Sequence, residues 1–420
     1  MGSNVKERDD RRSDAVLDDT DGMSIQVQYD PDAPLISVAV LCYKNRNLLN
    51  GMLKSILEQD YPRIQLIVSD DGSGDFDIED VSTYIDANRG ENIEQVIVRK
   101  NETNLGTVQH IIGVLSQVTA DYIVFTAADD RFVGSNVLST YVRKFEQKPK
   151  QLWLVARCNV LAPDYKKSLY VTPTEADALF FEQEDSLRLF SRWSRRGMAV
   201  PCSMAFRREA FTAVGGIDPE YHYLEDWPLV LKLLRAGYAP IYVPQITAVH
   251  SAGGVTNSNK RYGVGVRERF YRDKQLIFSK EVEPYLDLLT AEDLKAYNLY
   301  QKEIMARNYF LDITWVRASK VGKLKLLLKP QQFWWVAEKA FAKYKHFFRR
   351  KRMFIAAQLL LLLSMPMYLL GKMMPIYGLF QCVSILDIAL SILILCTAIV
   401  SFPLKFIFGR KEKIRRELVN

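Results

Sequence analysis

Cysteine is scarce and badly placed for cross-linking: Cys42, Cys158, Cys202, Cys382 and Cys396 are odd in number, widely spaced and without a CxxC pair. Such a pattern offers neither a disulfide framework nor a zinc-site spacing. The N-terminus lacks an apolar run, so no secretory signal is read there. No GxGxxG follows a strand and no GxxxxGK[ST] occurs, which leaves the glycine-rich phosphate cradles of dinucleotide folds and P-loop enzymes unsupported. No internal repeat is visible. What remains is ordinary in bulk: 420 residues, 48% hydrophobic and 25% charged. These values exclude a mainly disordered or fibrous chain, and the length favours two or three units.

The net charge of +7 is unevenly distributed. Residues 320–420 hold a surplus of fourteen positive charges, which leaves −7 on residues 1–319. Within the basic end, residues 353–370 carry no charge and residues 376–402 carry only Asp387. About 20 apolar residues suffice to cross a bilayer core, so both runs are long enough. Lys343, Lys345 and Arg349 to Arg352 precede the first run, and Lys405, Arg410, Lys411, Lys413, Arg415 and Arg416 follow the second. That asymmetry predicts a transmembrane or re-entrant hairpin over 353–402 with both ends cytoplasmic. Upstream, residues 320–352 interleave basic side chains with Trp334, Trp335, Phe341, Phe347 and Phe348, the composition of an amphipathic stretch lying on anionic lipid. A nucleic-acid patch fits less well, because the apolar hairpin adjoins it, and no nucleic-acid partner is expected. Residues 1–33 read as a disordered cytoplasmic tail, 34–255 as the principal domain, 256–319 as a helical connector and 403–420 as a basic cytoplasmic tail.

The principal domain alternates short β-branched runs with helical stretches. Strands are predicted at 36–42, 64–69, 93–99 and 121–127, and helices at 47–59, 78–87 and 106–118. This rhythm implies an α/β fold built from βαβ units, with a largely parallel sheet flanked by helices. Ligands on such sheets bind beyond the carboxyl ends of the strands. Two acid pairs occupy that position: Asp70 and Asp71 in SDDGSG, and Asp129 and Asp130 in AADD. Each alone fits an Asx turn or cap. Together they suit a polar ligand or a hard cation such as Mg²⁺ or Mn²⁺. A third pair, Glu225 and Asp226, opens the apolar-periodic helix 225–236, where it serves either as a cap favoured by the helix dipole or as a general base. His250 closes a further predicted strand.

Taken in order, ISVAVLCYKNRNLLNGMLKSILEQDY, IQLIVSDDGSGD, NLG, ADYIVFTAADD, AFRREAFTAVGGID and LEDWPLVLKLLRAGY resemble the family 2 glycosyltransferases of the GT-A fold, over about residues 35–255. The resemblance implies a nucleotide-diphosphate sugar as donor. It implies that Asp70 or Asp71 meets the nucleotide base, that Cys42 and Tyr43 line its pocket, and that Asn104 and Gly106 of the NLG motif belong to the same site. It implies Asp129 as the metal-binding acid, with Asp130 beside it, His250 as a further ligand to metal or diphosphate, and Asp226 as catalytic base with Glu225 as fallback. One departure is plain: Ala127 stands where the common DADD pattern has its first acid.

The QxxRW signature of processive synthases is absent, which favours addition of a single sugar. The basic, apolar C-terminal end suggests a lipid-linked or glycan acceptor at a membrane, with the catalytic domain on the cytoplasmic face, in cell-surface glycan assembly. Trp227, Arg195 and Arg196 are candidate acceptor contacts, the arginines being suited to a lipid diphosphate. Two alternatives stand beside this reading: a polyprenyl-phosphate glycosyl synthase, and a silent nucleotide-sugar-binding scaffold suggested by Ala127.

Overall fold

Four β-branched runs become the parallel half of one sheet: β1 (Ile36–Cys42), β2 (Ile64–Asp70), β3 (Ile93–Lys100) and β4 (Tyr122–Ala127). They lie in the order β3-β2-β1-β4 in a computed structural model that describes residues 32–253 and 264–329, with 331, 332, 335, 336 and 339 beyond. Side chains alternate across this sheet, as period-two strands require. Val38, Val40, Leu66, Val68 and Val124 face one apolar layer, closed by α1 (Arg46–Leu57), α2 (Ile78–Asn88) and α4 (Val137–Gln147). Ala39, Ile67, Ile123 and Phe125 face the other, which holds α3 (Thr107–Leu115). Each fully buried aliphatic chain stabilises the fold by about 1.5–3 kcal/mol relative to exposure.

The second half corrects the expectation of a largely parallel sheet. Beyond β4 come β8 (Met204–Arg207), β6 (Trp153–Leu161), β9 (Ile241–Ser251) and β5 (Asp130–Phe132), with β7 (Ser168–Thr172) beside β6. Of these pairings only β6 with β9 is parallel; β4–β8, β8–β6, β9–β5 and β6–β7 are antiparallel. The sheet is therefore mixed, with nine strands. Helices α5 (Glu175–Glu182), α6 (Ser186–Trp193), α7 (Glu209–Ala213) and α8 (Asp226–Arg235) occupy the connections in this half.

After β9 the chain is mostly helical, from α9 (Val264–Ile277) through a 3-10 stretch at Glu283–Leu288 and the extended residues Leu289 and Thr290 to α10 (Ala291–Leu299) and on to Arg317, with wide π turns at Phe278–Val282, Tyr300–Met305 and Phe310–Thr314. The described part of the predicted connector, from residue 264, is thus mostly helical, and it is no loose spacer. Tyr271, Ile277, Phe278, Val282, Tyr297 and Ile313 are buried in the same layer as α6 and α8. The start of the basic stretch forms a further helix, Lys320–Leu327, capped by the Ser319 hydroxyl. Among the described residues no helix is long and apolar enough to cross a membrane. The hairpin expected over 353–402, the tail expected over 403–420 and all but the last two residues of the tail expected over 1–33 lie outside the described residues.

Candidate active site

Four strand ends meet where the parallel half of the sheet stops. The Asp71 amide donates to the Cys42 carbonyl, the Asn101 amide to the Asp70 carbonyl and the Ala128 amide to the Leu41 carbonyl, stitching the segments after β1, β2, β3 and β4 together. Cys42 is buried, and that burial, with the charges of Asp70 and Asp129 nearby, pushes its thiol far above the ordinary range. A thiol held neutral in this way is a poor nucleophile. Tyr43 follows half-buried, its amide donating to Asn45 and its ring under the Lys44 ammonium at 4.9 Å.

Asp70 and Asp71 are both almost completely buried. Asp70 accepts from the Ser73 amide at 2.6 Å and the Ser73 hydroxyl at 2.7 Å, closing the DDGS turn on itself. Gly72 has φ +78°, and a Cβ there would stand 2.6 Å from the Thr103 backbone, so the turn requires glycine. Asp71 is spent more fully still. One oxygen accepts from Asn101 Nδ2 and the Leu105 amide, both at 2.9 Å; the other accepts from Asn104 Nδ2 at 2.8 Å and the Gly106 amide at 3.0 Å. The four bonds fill both oxygens. Asn104 and Gly106 thus reach the site as a loop pinned by Asp71. Gly106, at φ +86°, caps α3 and leaves room for the His222 imidazole, which a Cβ would meet at 2.6 Å.

The AADD motif forms the β4–β5 corner. Asp130 accepts from the Ala127 amide at 2.9 Å and Thr126 Oγ1 at 3.2 Å, and its other oxygen is 2.7 Å from His250 Nδ1 across the β5–β9 pair. Burial would lower the His250 pKa, but the hydrogen bond and charge of Asp130 raise it to about 9. With Nδ1 held, Nε2 is the atom left for chemistry. In the neutral ring it offers a metal lone pair, the carboxylate–histidine–metal arrangement, and in the protonated ring it offers a donor to a diphosphate oxygen. Asp129 lies at the tip of the turn, its carbonyl accepting from the Tyr165 hydroxyl at 2.7 Å. Cys202 Sγ falls with the Asp130 and His250 ligand atoms inside a 4.8 Å group, and 4.0 Å from Cys158 Sγ. The oxygen and nitrogen donors of Asp129, Asp130 and His250 suit Mn²⁺ or Mg²⁺, although Asp130 already spends both oxygens within the protein.

Glu225 and Asp226 open α8 beneath a different set of contacts. Neither pairs with a cation among the described residues. Burial raises the Asp226 carboxyl to about 6, against the partial relief of backbone N–H groups at the helix start. Burial, and then the neighbouring Asp226 charge, push Glu225 well above the usual carboxylate range. These are acids placed where ionisation is costly, the condition that tunes a carboxylate toward proton transfer near neutral pH. The segment leading into them is held from two sides: the His222 carbonyl accepts from the Val108 amide at 3.3 Å, and Asp273 of α9 grips the backbone of His222, Tyr223 and Leu224. Asp71, the NLG loop, His222 and the α8 acids are therefore one continuous structure.

The suggested acceptor residues divide. Trp227 is buried in the core and its indole N–H donates to the Trp193 carbonyl at 2.8 Å, so it joins α8 to α6. Arg195 is buried, 3.9 Å from Asp293, and burial lowers its pKa. Arg196, more exposed, bonds Asp177 at 2.6 Å. Arg192 stacks on Phe180 at 3.7 Å, and burial followed by the Arg195 charge lowers it to about 10. Sequence reasoning missed Arg192, Tyr165, His222 and Asp273. Arg192 shares the SRWSRR run with the two arginines chosen, but the others owe their place to tertiary contacts that leave no local pattern.

Residues 37–215 match the family described as "Glycosyl transferase family 2". An uncharacterized protein of Mycobacterium tuberculosis is 25% identical over 259 residues, covering 60% of this chain and 77% of that one. Two proteins of Haemophilus influenzae, each described as an uncharacterized glycosyltransferase, are 34% identical over 105 residues and 24% identical over 204. The chain spans 40% and 62% of their lengths, and the matches cover 25% and 48% of this chain. Among solved structures, S. aureus TarS 1–349 in complex with UDP-GlcNAc is 15% identical, with a TM-score of 0.48 over 73% of this chain and 81% of that one. Mannosyltransferase PcManGT from Pyrobaculum calidifontis, in complex with GDP-Man and Mn²⁺, is 18% identical with a TM-score of 0.43, over 78% of this chain and 91% of that one.

Proposed function

From the premise that this chain is a family 2 glycosyltransferase, we propose that it moves one sugar from a nucleotide-diphosphate donor to a hydroxyl of a lipid-linked acceptor, with inversion. The observation that carries the proposal is the Glu225–Asp226 pair: two carboxyls in surroundings that raise their pKa, with no cation paired to them among the described residues, joined through His222 to the acid-lined strand ends. The acceptor oxygen attacks the anomeric carbon, the bond from that carbon to the diphosphate oxygen breaks, and its electron pair leaves with the nucleotide. Asp226 takes the hydroxyl proton. Cys42, Tyr43 and the loop pinned by Asp71 shape the donor pocket. His250, oriented by Asp130, faces the leaving diphosphate. A divalent ion, held by Asp129 with His250, would supply charge stabilisation on that leaving group.

The membrane placement rests on sequence, the apolar runs of 353–402 and the basic stretch before them, and is supported by the segment at the helix Lys320–Leu327 and just after it, where Val321 and Leu328 are exposed in a stretch that carries Lys323, Lys325 and Lys329. That surface suits anionic lipid. Arg195 and Arg196, which follow α6, are the candidates for an acceptor phosphate.

The test is turnover across a panel of UDP- and GDP-sugars with Mn²⁺, using the full chain in detergent, followed by nucleotide release. Cleavage of one donor, stimulated by a lipid-linked sugar, is expected; stimulation by a polyprenyl phosphate alone would favour the synthase reading. No turnover with any donor would favour the scaffold reading suggested by Ala127.

A further inference from the structure

Asp273 lies outside every motif that carries the family resemblance, on a helix beyond the matched residues 37–215. Its side chain is 3% exposed, and no cation is paired with it among the described residues. Instead the carboxylate accepts three consecutive backbone amides. One oxygen takes those of His222 at 3.0 Å, Tyr223 at 2.6 Å and Leu224 at 3.2 Å; the other lies 3.2 Å from the His222 amide. A buried carboxylate needs such donors, and the donors, ahead of a helix start, need an acceptor. The arrangement resembles a helix cap supplied from another element. The residue after the gripped segment is Glu225, and the next is Asp226.

The opposite face of the same segment is also fixed. The His222 carbonyl holds the Val108 amide, and the His222 ring fills the space that Gly106 leaves by having no Cβ. The segment is therefore clamped between the loop at the donor end and α9. A bond made by a charged group is roughly twice as strong as a neutral one, so Asp273 is the stiffer jaw.

We propose that Asp273 is a positioning residue of the active site: it sets the backbone of residues 222–224 and through it the placement of the Glu225–Asp226 carboxylates. The α9 region is then part of the catalytic machinery. This rests on the reading of Asp226 as the base, but its structural half can be judged separately. Asparagine is the same shape as aspartate with one acceptor instead of two, and its amide hydrogens would face backbone N–H groups.

The experiment compares wild type, Asp273→Asn and Asp226→Asn as full chains in detergent. Amide hydrogen exchange is read at 222–227, with β1 (residues 36–42) as internal control, alongside turnover of the UDP- and GDP-sugar panel and half-saturation of the thermal shift by UDP and GDP with Mn²⁺. In Asp273→Asn the 222–224 amides are expected to exchange at least tenfold faster with β1 unchanged. Turnover should fall at least tenfold while half-saturation moves less than threefold. Unchanged exchange at 222–224, or turnover within twofold of wild type, would overturn the proposal; so would equal losses in turnover and nucleotide binding, the mark of general unfolding. If Asp273→Asn does not fold, Asp273→Glu, which keeps the charge on a longer arm, should show the same local exchange change. Full turnover by Asp226→Asn would remove the base assignment alone, because the exchange result judges the grip of Asp273 by itself.

Discussion

The two acid pairs at the end of β2 and the start of α8 look alike in sequence and differ in what surrounds them. Asp70 and Asp71 are buried with their oxygens filled: six hydrogen bonds from Ser73, Asn101, Asn104, Leu105 and Gly106 fall within normal length. Glu225 and Asp226 have backbone donors at a helix start and no cation among the described residues, and burial, against the relief of those donors, raises the pKa of both. A satisfied carboxylate is scaffold; one held in costly surroundings is available for proton transfer. In the proposed reading the DDG turn fixes the loops around the donor, and the Glu225–Asp226 pair supplies the base.

The strongest way to break this contrast is Asp226→Asn. Losing a general base lowers turnover by about 10²–10⁴-fold. UDP or GDP binding, followed by thermal shift, should stay near wild type, and thermal stability should hold or rise, because the variant removes a charge that burial penalises. Asp71→Asn should do the reverse, with stability falling by on the order of 3 kcal/mol as the amide turns donors toward donors. Chemical denaturation checks this, and a stable Asp71→Asn would show that the four bonds are replaceable. Gly106→Ala should cost about 1–3 kcal/mol, since it places a side chain at φ +86° against the His222 ring. The mildest change is Ala127→Asp. Restoring the first acid of the metal motif should tighten Mn²⁺ binding roughly tenfold by adding ligand charge, read as a titration of the thermal shift with nucleoside diphosphate present. Unchanged Mn²⁺ dependence would mean that Asp129 and His250 already suffice.

The first four strands and their helices were legible because period-two burial and β-branched runs are local properties. The predicted strand 64–69 gained only Asp70, and the helix predicted over 106–118 contracted to Thr107–Leu115 behind its glycine cap. The antiparallel half was not legible. Met204–Arg207 is four residues and Asp130–Phe132 three, too short to carry a pattern, and their direction is set by the strands they join. Residue types at strand ends singled out loops that the fold does bring together, but which of their acids is filled by hydrogen bonds depends on donors distant in sequence. Asp71 is filled from residues 101–106, and Asp273 reaches back to 222–224 from a helix with no motif of its own.

The central claim, that Asp226 is the proton acceptor, is tested most directly by the pH dependence of kcat/KM for the donor that the panel identifies. Burial raises the Asp226 carboxyl to about 6, and the base works only when ionised. Activity should therefore be full above pH 7 and fall through a midpoint near pH 6, about tenfold per pH unit below it. A profile flat through pH 6, turning down only near the ordinary aspartate range, would contradict the account.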